Sequence, residues 1–394
     1  MQNRSINTIA RTLIQTVVRQ KLTAIKNDPE RSLRSLVDMG LNFAGGSEQQ
    51  HILQLAQQTL QDESSAYYRI IYDMALHINT DHLLGFGMNF GYNSLTAGAR
   101  HIRRLETESN CDIPWCLTLV IGQEGFAAHE DAYTALIEQG KKLGIYTYLL
   151  LAPQLPVGLF SLLQSQKDCA FLVFTGPEEL TDDAIDSMAQ LTHVMPVVRY
   201  GTDAEEVCEA MRRREMLYAA YRLYSPRTAG ADLLEDTLLD TGRLHAPLTF
   251  FIEEGPRPIH TSPLYGQTIS IRNDLHFDSV PVELWEDLHY IDSAISPRPS
   301  RCAVFDADCR LLRPDGSPDD SLSFAHLSLE DILPADKNSP RPCIVRKIGG
   351  IIRFFIPRLS PHASLRHRCW PSASAQIPAG ARSPCWKATA RTPQ

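Results

Sequence analysis

Five continuous apolar runs, each followed by an amphipathic stretch, constrain this chain more than any other feature. They read LTLVI, TYLLLA, AFLVFT, VMPVV and LTFFI. Strands that are apolar at every position belong to parallel sheets covered on both faces. Their spacing of roughly 25–30 residues is that of βαβ units. The predicted strands are Trp115–Ile121, Tyr146–Ala152, Cys169–Thr175, Val194–Tyr200 and Leu248–Glu253. A sixth, Leu84–Phe90, is expected ahead of them, followed by a turn at Gly91–Ser94 and a helix over Leu95–Glu106. Predicted helices cover Ala128–Leu143, Val157–Gln166, Asp182–Leu191 and Ala204–Tyr224. Six strands in one direction make an α/β fold, either a full or partial (β/α)6 barrel of the TIM type or an open doubly wound sheet.

Around this block the pattern changes. Residues 1–78 read as a helical N-terminal extension, with a helix start at Asp28-Pro29 and a capping box at Ser47 and Gln50. Residues 79–254 form the barrel, and residues 255–345 are irregular. That irregular part is expected to hold a strand at Thr268–Arg272, a short helix near Leu284–Leu288, and a small β segment from Cys302 to the Asp315-Gly316 turn. Residues 346–394 are expected to be a disordered basic tail. Seven basic and no acidic residues lie in 351–394, so residues 1–350 carry 31 basic against 46 acidic side chains, a net of −15. So acidic a body lacks the basic face that nucleic-acid binding needs. No apolar run is long enough to span a membrane. The nine cysteines include no C-x-x-C pair, and Cys111 and Cys116 read as ordinary thiols, so reduced cysteines in a cytoplasmic protein are expected.

Ligands of such folds gather where strands end and their helices begin. Gly91, Tyr92 and Asn93 are candidates after the first expected strand. Gly122, Gln123 and Glu124 follow the second, Arg199 ends the fifth, and Glu253 and Glu254 end the sixth. An arginine at a barrel mouth clamps a carboxylate or phosphate. Only one of two adjacent acids on a strand faces inward. Gly85, Gly87 and Gly91 do not fit a dinucleotide fingerprint, His129-Glu130 is not a zinc motif, and no G-x-S-x-G elbow occurs.

Read together, MNFGYNSLTAGARHIRR and CLTLVIGQEGFAAHEDAYTALIEQGKKLGIYTYLLL resemble the radical S-adenosylmethionine (SAM) enzyme family. In that family a Gly-Gly-Glu-Pro element ends the second strand; here it reads Gly122-Gln123-Glu124-Gly125. The resemblance implies SAM as cofactor, its amino group received by this element and Glu124, with the Gly91–Asn93 turn beside the reaction centre. It also implies a 4Fe-4S cluster on a C-x-x-x-C-x-x-C motif, but that spacing lands on Asn89, Asn93 and Thr96. Those side chains are poor ligands where soft thiolates are wanted. Cys302, the Asp315-Gly316 turn and LSFAHLSLEDIL are similar to the SPASM extension of peptide-modifying members. The expectation is therefore a degenerate radical-SAM-like protein, of radical SAM type if it is an enzyme, taking SAM, a small molecule or a peptide. Two alternatives stand beside it. One is a glycosidase-like barrel enzyme using Glu253 or Glu124 as acid or base. The other is a non-catalytic partner protein docking through its N-terminal helices.

Overall fold

The computed structural model describes residues 2–25, 31–32, 34–38, 57, 66–109, 112–255, 262–296 and 302–335. The helix starts at Asp28-Pro29 and Ser47, Cys111 and the basic tail lie outside these residues.

The sheet is built from β1 (Cys116–Val120), β2 (Thr147–Leu151), β3 (Ala170–Thr175), β4 (Val194–Arg199), β5 (Ala219–Tyr224), β6 (Leu248–Glu253), β7 (Val280–Glu283), β8 (Ala303–Phe305), β9 (Arg310–Leu312) and β10 (Pro318–Ser323). Their order is β10-β9-β8-β1-β2-β3-β4-β5-β6-β7. From β8 through β1 to β7 every pairing is parallel. β9 and β10 are antiparallel additions at one edge. The protein is thus α/β with a mostly parallel sheet.

This sheet is curled. Phe174 on β3 meets Tyr221 on β5 with ring centroids 5.6 Å apart and Phe250 on β6 with centroids 5.3 Å apart. β3 and β6 are three strand steps apart, about 14 Å in a flat sheet. Curling brings their inner faces together, as in a partial barrel. α11 (Leu284–Ile295) continues directly from β7 and reaches back to the start of β1. There the Trp115 backbone N–H donates to Asp292 Oδ1 at 3.2 Å, and its indole N–H donates to the Leu288 carbonyl at 3.2 Å.

Before the sheet come α1 (Gln2–Ile25), α2 (Ala66–His77), α3 (Thr80–Gly87), an eleven-residue π-helix (Met88–Gly98) and α4 (Ala99–Ser109). The outer layer is α5 (Gln123–Leu143), α6 (Val157–Ser165), α7 (Asp182–Ala189), α8 (Ala204–Arg213), α9 (Ala231–Arg243) and α10 (Tyr265–Asp274). α12 (Leu329–Ala335) follows β10.

Three expected elements are corrected. Leu84–Phe90 is not a strand but helix, because Asn79 caps α3 by accepting from the Asp81 N–H at 2.8 Å. The alternation of GFGMNFG is coincidental; Phe86 and Phe90 are one helical turn apart and their rings stack at 5.8 Å. The helix expected over Ala204–Tyr224 stops at Arg213. Glu215 takes a left-handed backbone (φ 53°), and the chain turns into β5. Thr268–Arg272, rich in β-branched residues, lies in α10. The Thr268 hydroxyl donates to the Leu264 carbonyl one turn back at 3.0 Å, and the next turn places Arg272 beside Asp287. Tertiary pairing here overrides local propensity.

Candidate functional site at the C-terminal end of the sheet

The expected site residues fall at two opposite ends of the parallel strands. Asn89 and Asn93 lie in the π-helix and are buried. Asn89 Nδ2 donates to the carbonyls of Lys167 (2.7 Å) and Cys169 (2.8 Å), and Asn93 Nδ2 to that of Asp168 (2.8 Å). All three carbonyls immediately precede β3. Ser94 Oγ accepts from the hydroxyl of Thr147, the first residue of β2, at 2.9 Å. Arg11 of α1 closes the network, donating through Nε to Asn93 Oδ1 and through Nη2 to Asn89 Oδ1, each at 3.1 Å. Thr96 donates to the Gly91 carbonyl at 2.9 Å. Gly91, Tyr92 and Asn93 are therefore at the N-terminal end of the sheet, where Asn93 satisfies a backbone carbonyl.

The other candidates lie at the C-terminal end. Gly122 follows β1 as the N-cap of α5 and makes no side-chain cap hydrogen bond. Gln123 and Glu124 are exposed in the first turn. Gly125 belongs there for a steric reason: a Cβ would collide with the Ala307 carbonyl oxygen in the turn after β8. That contact fixes the start of α5 against the strand beside β1. Gly91–Asn93 and Gly122–Glu124 are separated by the length of the strands and do not form one site.

Arg199 ends β4 on the inner face, the side shared with Met195 and Val197 four and two residues earlier. Its Nη2 reaches both oxygens of Glu178, at 2.7 and 2.8 Å. Both side chains are about half exposed. Glu178 is held below the usual carboxylate range by its own backbone N–H and by Arg199. Sequence reasoning passed over Glu178, although it directly follows a strand in TGPEE, as loop acids at a barrel mouth do. Leu223 of β5, 41% exposed, lies on the same inner face as Tyr221. The C-terminal mouth thus carries the Arg199–Glu178 pair and the exposed Leu223, and Gln123 and Glu124 follow β1 at the same end of the strands.

Glu253 lies on the outer face. It shares the side of Phe251, which packs among Leu234, Leu238, Leu264 and Ile271. Its neighbours form a buried polar cluster. The Tyr224 hydroxyl donates to Glu283 Oε1 at 2.7 Å and hydrogen-bonds with Ser262 Oγ at 2.6 Å. Glu283 Oε2 accepts from the Glu286 N–H at 2.9 Å, capping α11. Arg272 Nη2 reaches both oxygens of Asp287 at 2.9 Å, and Asp287 Oδ2 also accepts from the Glu283 N–H at 3.0 Å. Burial pushes the Glu283 carboxyl up to about 7, against the opposing hydrogen bonds from Glu286 and Tyr224. Such a value suits a catalytic acid, but Glu283 is 0% exposed and Glu253 7%. Glu283 caps α11, and Glu253 is buried beside Tyr224 on the outer face.

Among the described residues no group of three or more His, Cys, Asp or Glu is placed to hold a metal ion. Cys116, Cys169, Cys208, Cys302 and Cys309 are each buried. Nor, among those residues, is any helix long and apolar enough to cross a membrane.

No family model matches the sequence, and no curated protein does. Among solved structures, SuiB from Streptococcus suis is 11% identical over 77% of this chain and 82% of SuiB, with a TM-score of 0.44. SuiB bound to S-adenosylmethionine scores 0.43 at 10% identity, over 77% of this chain and 81% of that one. A mutant tryptophan synthase α-subunit from Pyrococcus furiosus scores 0.33 at 10% identity, over 50% of this chain and 89% of that one. At TM-scores below 0.5 these likenesses carry no argument; the fold stands on its own strand order.

Proposed function

We propose that this chain is a radical-SAM-like barrel protein that binds S-adenosylmethionine at its C-terminal mouth and runs no radical chemistry through the Asn89, Asn93 and Thr96 positions. The observation that carries the proposal is the place of Gly122-Gln123-Glu124. This element, which the sequence likens to the SAM-binding element of that family, directly follows a parallel strand and opens a helix. In this reading the exposed Glu124 carboxylate pairs with the ligand's ammonium, a charge-assisted contact. The uncapped backbone N–H groups at the start of α5 face its carboxylate. Arg199 binds a carboxylate of a small-molecule or peptide substrate, exchanging Glu178 for it.

A 4Fe-4S cluster does not fit. It wants three thiolates, whereas Asn89 and Asn93 are buried amides already bonded to the chain before β3. They also lie at the opposite end of the sheet from Glu124. Of the two acids in the carboxylate acid/base alternative, Glu253 is buried on the outer face, which leaves the exposed Glu124 alone.

The test is calorimetric titration of SAM into the wild type and Glu124→Gln. Loss of a charged contact should weaken binding roughly tenfold or more. Absence of SAM binding by the wild type would remove SAM from this reading.

A further inference from the structure

The curled sheet is not fully packed. A cavity of about 140 Å³ lies within it, walled by Leu149, Leu172, Met195, Phe250 and Val282 from five strands and by Leu284, Leu288 and Ile291 of α11. A barrel interior is normally filled by layers of side chains. Here Phe86, Phe90 and Trp115 complete the wall. The Phe86 and Phe90 rings stack at 5.8 Å, and Phe90 meets Trp115 edge-on at 6.1 Å.

Few polar groups reach the cavity, and those that do are engaged. The Thr147 hydroxyl donates to Ser94, and the Trp115 indole N–H donates to the Leu288 carbonyl. The Asp287 carboxylate is held by Arg272 and the Glu283 N–H. A buried water needs two to four polar partners, so this space stays dry; an apolar cavity of about 150 Å³ takes benzene or xenon instead. Phe86, Phe90 and Leu248 are only partly buried, so they mark an entrance at the N-terminal end of the strands. Phe90 is itself carried by the π-helix, a backbone form that recurs at functional sites.

We propose that this cavity is a binding site for a small uncharged apolar molecule of single-ring size, entering between Phe86, Phe90 and Leu248. It is separate from the mouth at the C-terminal end and does not depend on SAM binding there.

The experiment uses the full chain with benzene and xenon as probes. Benzene at ten times its dissociation constant should raise the wild-type Tm by about 2–4 °C. Both probes should shift the NMR signals of the Leu149, Leu172 and Met195 methyls. Met195→Phe fills the space and should abolish the Tm shift. Leu172→Phe is the second variant, should the first not fold. The proposal is overturned if neither probe moves those methyls in the wild type. It is equally overturned if a folded, filled variant shows the same benzene shift, which would put binding elsewhere.

Discussion

Glu283→Gln separates a buried structural acid from a working one. Glu283 has a carboxyl that is 0% exposed and is pushed up from 4.5 to about 7, first by burial and against the hydrogen bonds from Glu286 and Tyr224. An acid whose value is raised by folding stabilises the fold while both states hold the proton, below about pH 4.5. As pH rises from there toward 7, the unfolded chain loses its proton first, and stability falls by about 1.4 kcal/mol per pH unit. Above about 7 both states are ionised and the whole contribution, about 3 kcal/mol, is gone. Glutamine cannot ionise. Urea unfolding of both proteins from about pH 4 to about pH 8 isolates the effect, because other carboxylates cancel in the difference. Wild-type stability minus variant stability should drop by about 3 kcal/mol across that range. A difference that stays flat with pH would mean that Glu283 is hydrated and ionised in the folded protein, and the argument from burial would fail.

Three further substitutions probe other joints. Arg272→Met leaves the buried Asp287 without its cation, and should cost about 3–5 kcal/mol in urea unfolding, with part of the loss recovered when Asp287→Leu is added. Asn93→Leu removes the bonds to Asp168 and Arg11 and should cost about 1–3 kcal/mol, while calorimetry shows SAM affinity unchanged; a loss of affinity would return Asn93 to the ligand site. Gly125→Ala drives a Cβ into the Ala307 backbone, and should lower Tm by several degrees, on the order of a core overpacking mutation; an unchanged Tm would show that the α5–β8 contact is loose.

How far the fold was legible depended on burial. β1, β2, β3, β4 and β6 are covered on both faces, so their apolar runs announced them within a residue or so at each end. β5 was hidden because AAYRLY continues the composition of α8, and only the left-handed Glu215 separates the two. β7 spans four residues with Pro281 in it, too few to show a period. The stretch before β1 misled for a different reason. Glycines between phenylalanines mimic strand alternation, and the deciding signals were the Asn79 cap and the one-turn spacing of Asn89 and Asn93. At the rim, Gly122–Glu124, Arg199 and Glu253 were rightly placed at strand ends. Which face each residue takes depends on register and on the helices outside, and that removed Glu253 from the mouth.

Hydrogen exchange under saturating SAM tests the central claim most directly, because the two ends of the sheet can be read in one experiment. Protection confined to residues around Ile121–Phe126, with the π-helix Met88–Gly98 unchanged, is the expected result. Protection over Met88–Gly98 without any at Ile121–Phe126 would place the ligand at the N-terminal end and contradict the site described above.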